Sequence, residues 1–369
     1  MGKKETKLSK AQKETELAVQ HVNQKIDELG VCTSVLYSSL KNVQVLFDSI
    51  RNVPNEDKIK YEKLKETRNE WKKQVENIEI EYKKAEIKAV GQGAVGVGVG
   101  VAVVALGPTA AMGVATTFGV ASTGTAIAAL HGVAATNAAL AWLGGGALAA
   151  GGGGMAAGQA FLALAGPVGW TIAGLTLAFT GLMLFKTKED KERLENIFTL
   201  ISNRDTKSYE LAIVELKERI DRIKIESKML ANSIIKIEKF GNDYNKMTEA
   251  QQYELGSYVN LMESSTMLLV NPILGLQPKY TEQDLEIFKN QVEDKLKGYL
   301  TDRKNLVLSL ANLLYKVDLN SMDRNLLTKS FKQNKDFLES FHLSKKEFDV
   351  KDLKIVSEAL NFHYPCNNY

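Results

Sequence analysis

Four histidines, two cysteines and one glycine motif are the residues here whose types could carry chemistry, and their spacing argues against it. His21, His131, His342 and His363 stand far apart, without the spacing that holds a metal ion. Cys32 and Cys366 are too few for a disulfide framework. Gly91, Gly93 and Gly96 spell GxGxxG, a motif that cradles a pyrophosphate only when a strand leads into it and an acid about twenty residues later binds the ribose. Here a charged helical pattern leads in and the next acid is Glu189. Neither a P-loop GK[ST] nor a GxSxG elbow occurs. The expectation is a protein that is not an enzyme, with no cofactor and no metal site.

The chemistry lies instead in a solvent preference. From Ala89 to Phe185, 97 residues contain no Asp, Glu, Lys or Arg, so all 91 formal charges fall in the other 272. The same block holds 22 of the 28 glycines. A soluble core is laid down as short apolar stripes alternating with charged faces. An uninterrupted block of this length fits a lipid bilayer, with room for two or four crossings of about 20 residues each.

Within the block, Ala89 to Leu106 reads as one helix with Ala94, Gly98 and Ala102 on a small-residue stripe and Gly96 and Gly100 as a GxxxG pair. Such stripes let helices approach closely in lipid, where no hydrophobic force distinguishes a neighbouring helix from an acyl chain. Gly107 and Pro108 interrupt, and a second helical stretch runs from Ala110 to Leu143. Gly144, Gly145 and Gly146, then Gly151, Gly152, Gly153 and Gly154, disfavour helix and mark an apex, with Trp142 beside it as an interfacial anchor, and Gly154 with Gly158 past it is a further small-residue pair for helix packing. The last run, Gln159 to Phe185, contains the most hydrophobic segment, which opens at Trp170. Lys83, Lys84 and Lys88 flank one end and Lys186 and Lys188 the other, as headgroups favour. Equal positive flanks imply an even number of passes.

The elements that must position this block are helical. Val22, Ile26, Leu29, Leu36, Leu40, Val43, Phe47 and Ile50 alternate in steps of three and four, with Thr33 the polar interruption. This predicts a coiled-coil-like helix from near Leu8, about 60 Å long, ended by Pro54. With Asn55 as N-cap, a second stripe of Tyr61, Leu64, Trp71, Val75, Ile78 and Tyr82 follows, Arg68 being its exception, and the two fold back as an antiparallel hairpin. After the block, Thr187 with Asp190 resembles a capping box, and Leu216, Ile220, Ile223, Leu230 and Ile237 resume the pattern until Gly241. Further helices are predicted from Thr248 to Val270, Thr281 to about Tyr315, Met322 to Phe341 and Ser344 to Leu360. No strand pattern is sustained.

The expected fold is therefore all-α: long antiparallel coiled-coil-like helices around a Gly/Ala-rich hydrophobic hairpin, with a smaller C-terminal helical bundle. The divisions are 1–88, 89–185, 186–241 and 242–369. The net charge of +3 comes from the first 88 residues, while 29 basic and 29 acidic residues balance after the block, so no nucleic-acid partner is expected. The first thirty residues lack an apolar h-region, which implies a cytosolic starting point, then a membrane, with any export by a non-classical route.

The stretch ASTGTAIAALHGVAATNAALAWLGGGALAAGGGGMAAGQAFL, Ala121 to Leu162, resembles the glycine-zipper segment of bacterial membrane-active proteins. The larger plan is similar to the α-helical pore-forming toxins of the cytolysin A and tripartite enterotoxin type. That resemblance implies a soluble form that shelters the hairpin and an inserted homo-oligomer that releases it into a lipid membrane. Three readings stay open: a conditional pore former, toxin or intracellular effector; a constitutive membrane-anchored coiled-coil tether or scaffold; and a soluble bundle with a small-residue core.

Overall fold

Two long amphipathic helices form the frame. The structure is a computed structural model in which residues 6–69, 72–73, 185–270, 273 and 279–365 are described. Helix α1 (Lys7–Ser49) opens at Thr6, whose hydroxyl accepts the Ser9 amide at 3.1 Å, and fully buries Val22, Leu29, Leu36, Leu40 and Val43. The Pro54 carbonyl accepts the Lys58 amide at 3.0 Å, so Asn55 is the first residue of α2 (residues 55–69) and Pro54 sits at its cap. Helix α3 (Lys188–Phe240) begins at Thr187, whose side chain accepts the Asp190 amide as its sequence implies. Its 53 residues make a rod about 80 Å long.

Hydrogen bonds fix the relative direction of these helices. The Leu8 amide meets Glu195 Oε1, the Thr15 hydroxyl meets the Ser202 carbonyl (3.1 Å) and the Thr206 hydroxyl (2.9 Å), and Lys224 pairs with Glu28 at 2.7 Å. Sequence separations at these contacts stay between 187 and 196, so α1 and α3 run parallel and in step. At the far end the Arg51 amide donates to the Asn242 carbonyl (2.9 Å) and the Tyr244 amide to the Arg51 carbonyl (3.0 Å), a single parallel bridge. Asn52, in the left-handed region at φ 62°, adds a 2.9 Å bond to Asp243.

Each long helix has an antiparallel partner. Helix α2 folds back on α1 through Tyr61, stacked on Phe47 at 5.4 Å between ring centroids, and through Lys65, which pairs with Asp48 at 2.9 Å. A short 3-10 turn (Tyr244–Lys246) leads to α4 (Glu249–Val270), capped by the reciprocal Thr248 and Gln251 bonds, which folds back on α3. Two hairpins therefore lie side by side with their tips joined. The sequence divides the chain at 241/242, yet Leu255, Val259, Met262 and Leu269 of α4 share one core with Leu36, Tyr61 and Leu216.

A second core lies where α1 and α3 begin. Leu8, Leu194, Ile197, Phe198 and Ile201 join α5 (Glu282–Lys289), α6 (Asp294–Asp302), α7 (Lys304–Leu314), α8 (Ser321–Gln333), α9 (Lys335–Ser340) and α10 (Val350–His363). The single helix expected from Thr281 to Tyr315 is three, because a straight helix would hold Leu285 and Leu310 roughly 38 Å apart, and both pack in this core. Thr281 and Asp284 do form a full capping box. Asn334 divides α8 from α9 by accepting the Phe337 amide (2.8 Å), which brings Phe331, Phe337 and Phe348 into ring contact. The fold is all-α, with no strand among the described residues.

Gly241 carries the turn between α3 and α4 at φ 80°, ψ −172°, a region open to little but glycine. Among the described residues no atom lies within 4 Å of where its Cβ would sit, so substitution meets backbone strain there. Gly241→Ala should lower stability by about 1–3 kcal/mol in urea unfolding. An unchanged midpoint would mean that the turn relaxes freely.

Candidate functional site

Nearly all residues nominated for membrane insertion lie outside the described residues: Gly96, Gly98, Gly100, Ala102, Trp142, the glycines from Gly144 to Gly158, and Trp170, together with Lys83, Lys84 and Lys88. The point where the block rejoins the body is described. Phe185 is half-buried against the second core, Lys186 is exposed, and Lys188 is exposed with a loose ion pair to Glu192 at 3.5 Å. Lys186 and Lys188 thus face solvent before α3 enters its core at Leu194.

The two polar exceptions in the N-terminal stripes prove to be interior groups. Arg68 is 2% exposed and is among the largest fully enclosed side chains. It reaches Gln44 Oε1 through Nη2 (2.9 Å) and the Thr266 hydroxyl through Nη1 (3.1 Å), while its Nε has no partner among the described residues. The nearest acid in this network, Asp48, is engaged by the Tyr61 hydroxyl (2.7 Å) and Lys65. Burial holds the Arg68 guanidinium below its ordinary range, because a charged group loses its water there and its hydrogen-bond partners among the described residues are neutral, Asp48 offsetting this only in part. Burial and the neighbouring Asp48 likewise push the Tyr61 phenol well up.

Glu226 is the counterpart on α3. It accepts the Ser265 hydroxyl at 2.6 Å and the Ser264 hydroxyl at 3.1 Å, and lies 3.6 Å from Arg222. One turn of α4, Ser264 to Thr266, therefore serves both buried charges, the carboxylate with two serines and the guanidinium with a threonine. Thr33 Oγ1 and Ser227 Oγ are also buried, without a partner among the described residues. A seam held this way differs from an apolar one. When it is closed Glu226 keeps Arg222 and two serine hydroxyls, but Arg68 has neutral partners among the described residues and is rehydrated when α4 moves away, which lowers the cost of opening there.

The sequence carried a signal for both charges. Arg68 falls on the Tyr61–Leu64 stripe, and Glu226 sits in the gap between Ile223 and Leu230, a position that three-four spacing assigns to the core. Elsewhere, a shallow cleft of about 490 Å³ lies between α2 and α4, where Gly256 lacks a side chain; Asp57 and Glu249 on its rim sit in the first turns of their helices, where the dipole favours acids. Among the described residues no cluster of His, Cys, Asp and Glu is placed to hold a metal. His21 and His342 are exposed and apart, and His363 pairs with Asp284 at 3.2 Å. Cys32 is a half-buried free thiol, its pKa raised by burial.

Comparison with family models, curated proteins and solved structures finds no match for this chain. The polar layer then has to be judged by its own energetics. Arg68→Met keeps most of the volume and removes the charge, and should leave the melting of the full chain unchanged or raise its stability by about 1 kcal/mol. A loss above about 2 kcal/mol would show that the bonds to Gln44 and Thr266 outweigh the desolvation.

Proposed function

We propose that this protein is a conditional membrane-inserting protein, whose charged helical body delivers its uncharged block into a lipid bilayer and there forms pores or disrupts the membrane, as a toxin or an intracellular effector. One observation carries the reading. Helices α1 and α3, which stand before and after the block in sequence, are packed in parallel along their length and joined again at their tips. A block that leaves and returns to one body must cross a bilayer an even number of times, which agrees with its positive residues on both flanks.

Two further points support it. Among the described residues no helix is long and apolar enough to cross a membrane, so the body is chemically distinct from the charge-free block. Arg68, buried with neutral partners among the described residues, gives that body a seam able to open, which a conditional inserter needs. In the inserted state the small-residue stripes at Gly98 and Ala102, and at Gly154 and Gly158, are the proposed faces for packing between copies. The parallel body equally suits a constitutive membrane-anchored tether. Fractionation separates the two, since a tether is carbonate-resistant from synthesis and a conditional inserter has a soluble pool.

Entry after synthesis requires the apex to cross first. A charge costs roughly 2.5 to 3.5 kcal/mol at the centre of a translocon-inserted helix, and more without that machinery. Ala147→Asp with Ala149→Asp should therefore abolish dye release from liposomes while leaving soluble yield unchanged. Release equal to the parent's would refute insertion through the apex.

A further inference from the structure

Three cations from three separate segments meet where α3 passes the C-terminal helices. Arg204 lies on α3, Lys279 precedes α5, and Lys316 follows α7. The Tyr315 ring is the neighbour of two of them, with Lys316 Nζ 5.3 Å and Arg204 Cζ 6.0 Å from its centroid. Tyr315 in turn packs on Tyr364 at 4.8 Å, and the Tyr364 hydroxyl donates to the Lys279 carbonyl. Asn312 fixes this backbone by accepting the Lys279 and Tyr280 amides at 2.7 and 3.0 Å.

A bland cause for cations here is the C-terminal end of α7, whose free carbonyls attract positive charge. Arg204 already serves that end, since its Nη1 donates to the Leu313 and Tyr315 carbonyls. Its own charge is met by Asp205, held through Nε and Nη2 at 2.8 and 2.6 Å. Lys279 and Lys316 are left over. Among the described residues neither makes an ion pair, and the segment 271–278 leading into Lys279 contains no acid. The Lys279 ammonium is held below the usual lysine range by burial first, then by the repulsion of Arg204 and, less strongly, of Lys316, with Asp205 and Glu215 pulling the other way. Lys316 is also held in the left-handed region at φ 56°, a conformation that costs a non-glycine residue energy.

We propose that this junction is a binding site for a phosphate group, with the ammonium groups of Lys279 and Lys316 taking the oxyanion beside the Tyr315–Tyr364 ring pair and Arg204 fixing the floor. A bound dianion adds to the negative charge that Asp205 and Glu215 set against the three cations, through charge-assisted bonds of the strong class. The same chemistry serves a free phosphate or the headgroup of an anionic lipid. This site stands on the body alone and does not depend on the block entering a membrane.

The test is a phosphorus NMR titration of the lipid-free full chain with inorganic phosphate at constant ionic strength. Saturable binding is expected in the parent, weakened about tenfold in Lys279→Gln with Lys316→Gln, and unchanged in Lys58→Gln with Lys63→Gln, two exposed lysines of α2. Lys316→Gln alone, an exposed change, gives the same direction should the double variant misfold. Vesicles of phosphatidylcholine with phosphatidylglycerol then identify the source: displacement of phosphate by these but not by phosphatidylcholine alone assigns a lipid headgroup, and no displacement assigns a free phosphate. Absent saturation in the parent, or equal loss in the α2 control, would overturn the site.

Discussion

The parallel seam between α1 and α3 is the interaction on which the rest of this structure depends. Both helices put an aliphatic residue on the inner face every three or four positions, and Val22, Leu29, Leu36, Leu40, Leu216, Ile223 and Leu230 are sealed from water. At roughly 1.5–3 kcal/mol for each enclosed aliphatic side chain, that seam outweighs every surface ion pair on the molecule. It also sets the topology. Because the two helices point the same way, the chain between them must leave from one place on the body and be carried back to the start of α3, where Phe185 docks on the C-terminal core.

Against this apolar seam stands a second one of different character. Helix α4 contributes Leu255, Val259, Met262, Leu268 and Leu269 to the core, and between them one turn, Ser264 to Thr266, meets Glu226 and Arg68 through hydroxyl groups. Arg68 exchanges its water for one amide oxygen and one hydroxyl, a poor exchange for a full charge, and its Nε has no partner among the described residues. The body is thus firm along α1 and α3 and weaker along α4. This gradient is what a protein needs if part of it must rearrange while the frame persists, and it gives the proposed conditional behaviour a location in the fold.

How much of this could be read from sequence depended on whether the signal was local. The stripes of α1 and α3, the Thr187 and Thr281 caps and the stop at Gly241 were legible because each is set by neighbours in the chain. The direction of α3 was not, since an apolar stripe looks the same whichever way its partner runs; the Thr15–Ser202 contact and the Arg51–Asp243 bridge decide it. Gly241 reads as the end of α3, and only the packing of Leu255, Val259 and Met262 shows that α4 folds back into the core of the long helices. Arg68 was visible as an exception, but its meaning required Gln44 and Thr266, which lie far from it in the chain. The cluster of Arg204, Lys279 and Lys316 gave no sequence signal at all, because three unremarkable basic residues on separate segments become a group only when the C-terminal helices wrap α3. The block itself was legible from composition, and its nominated residues lie outside the described ones.

The central claim is that the helices before and after the block form one body on one side of a membrane. It can be tested with single reporter cysteines, after Cys32 and Cys366 are replaced by Ser, at the exposed positions Asn42 on α1 and Lys228 on α3. Each variant is inserted into sealed vesicles and treated with a membrane-impermeant maleimide before and after lysis. The account predicts that Asn42→Cys and Lys228→Cys share one accessibility, both labelled before lysis when protein is added from outside. If one is labelled from outside and the other only after lysis, the two helices lie on opposite sides and the account is contradicted.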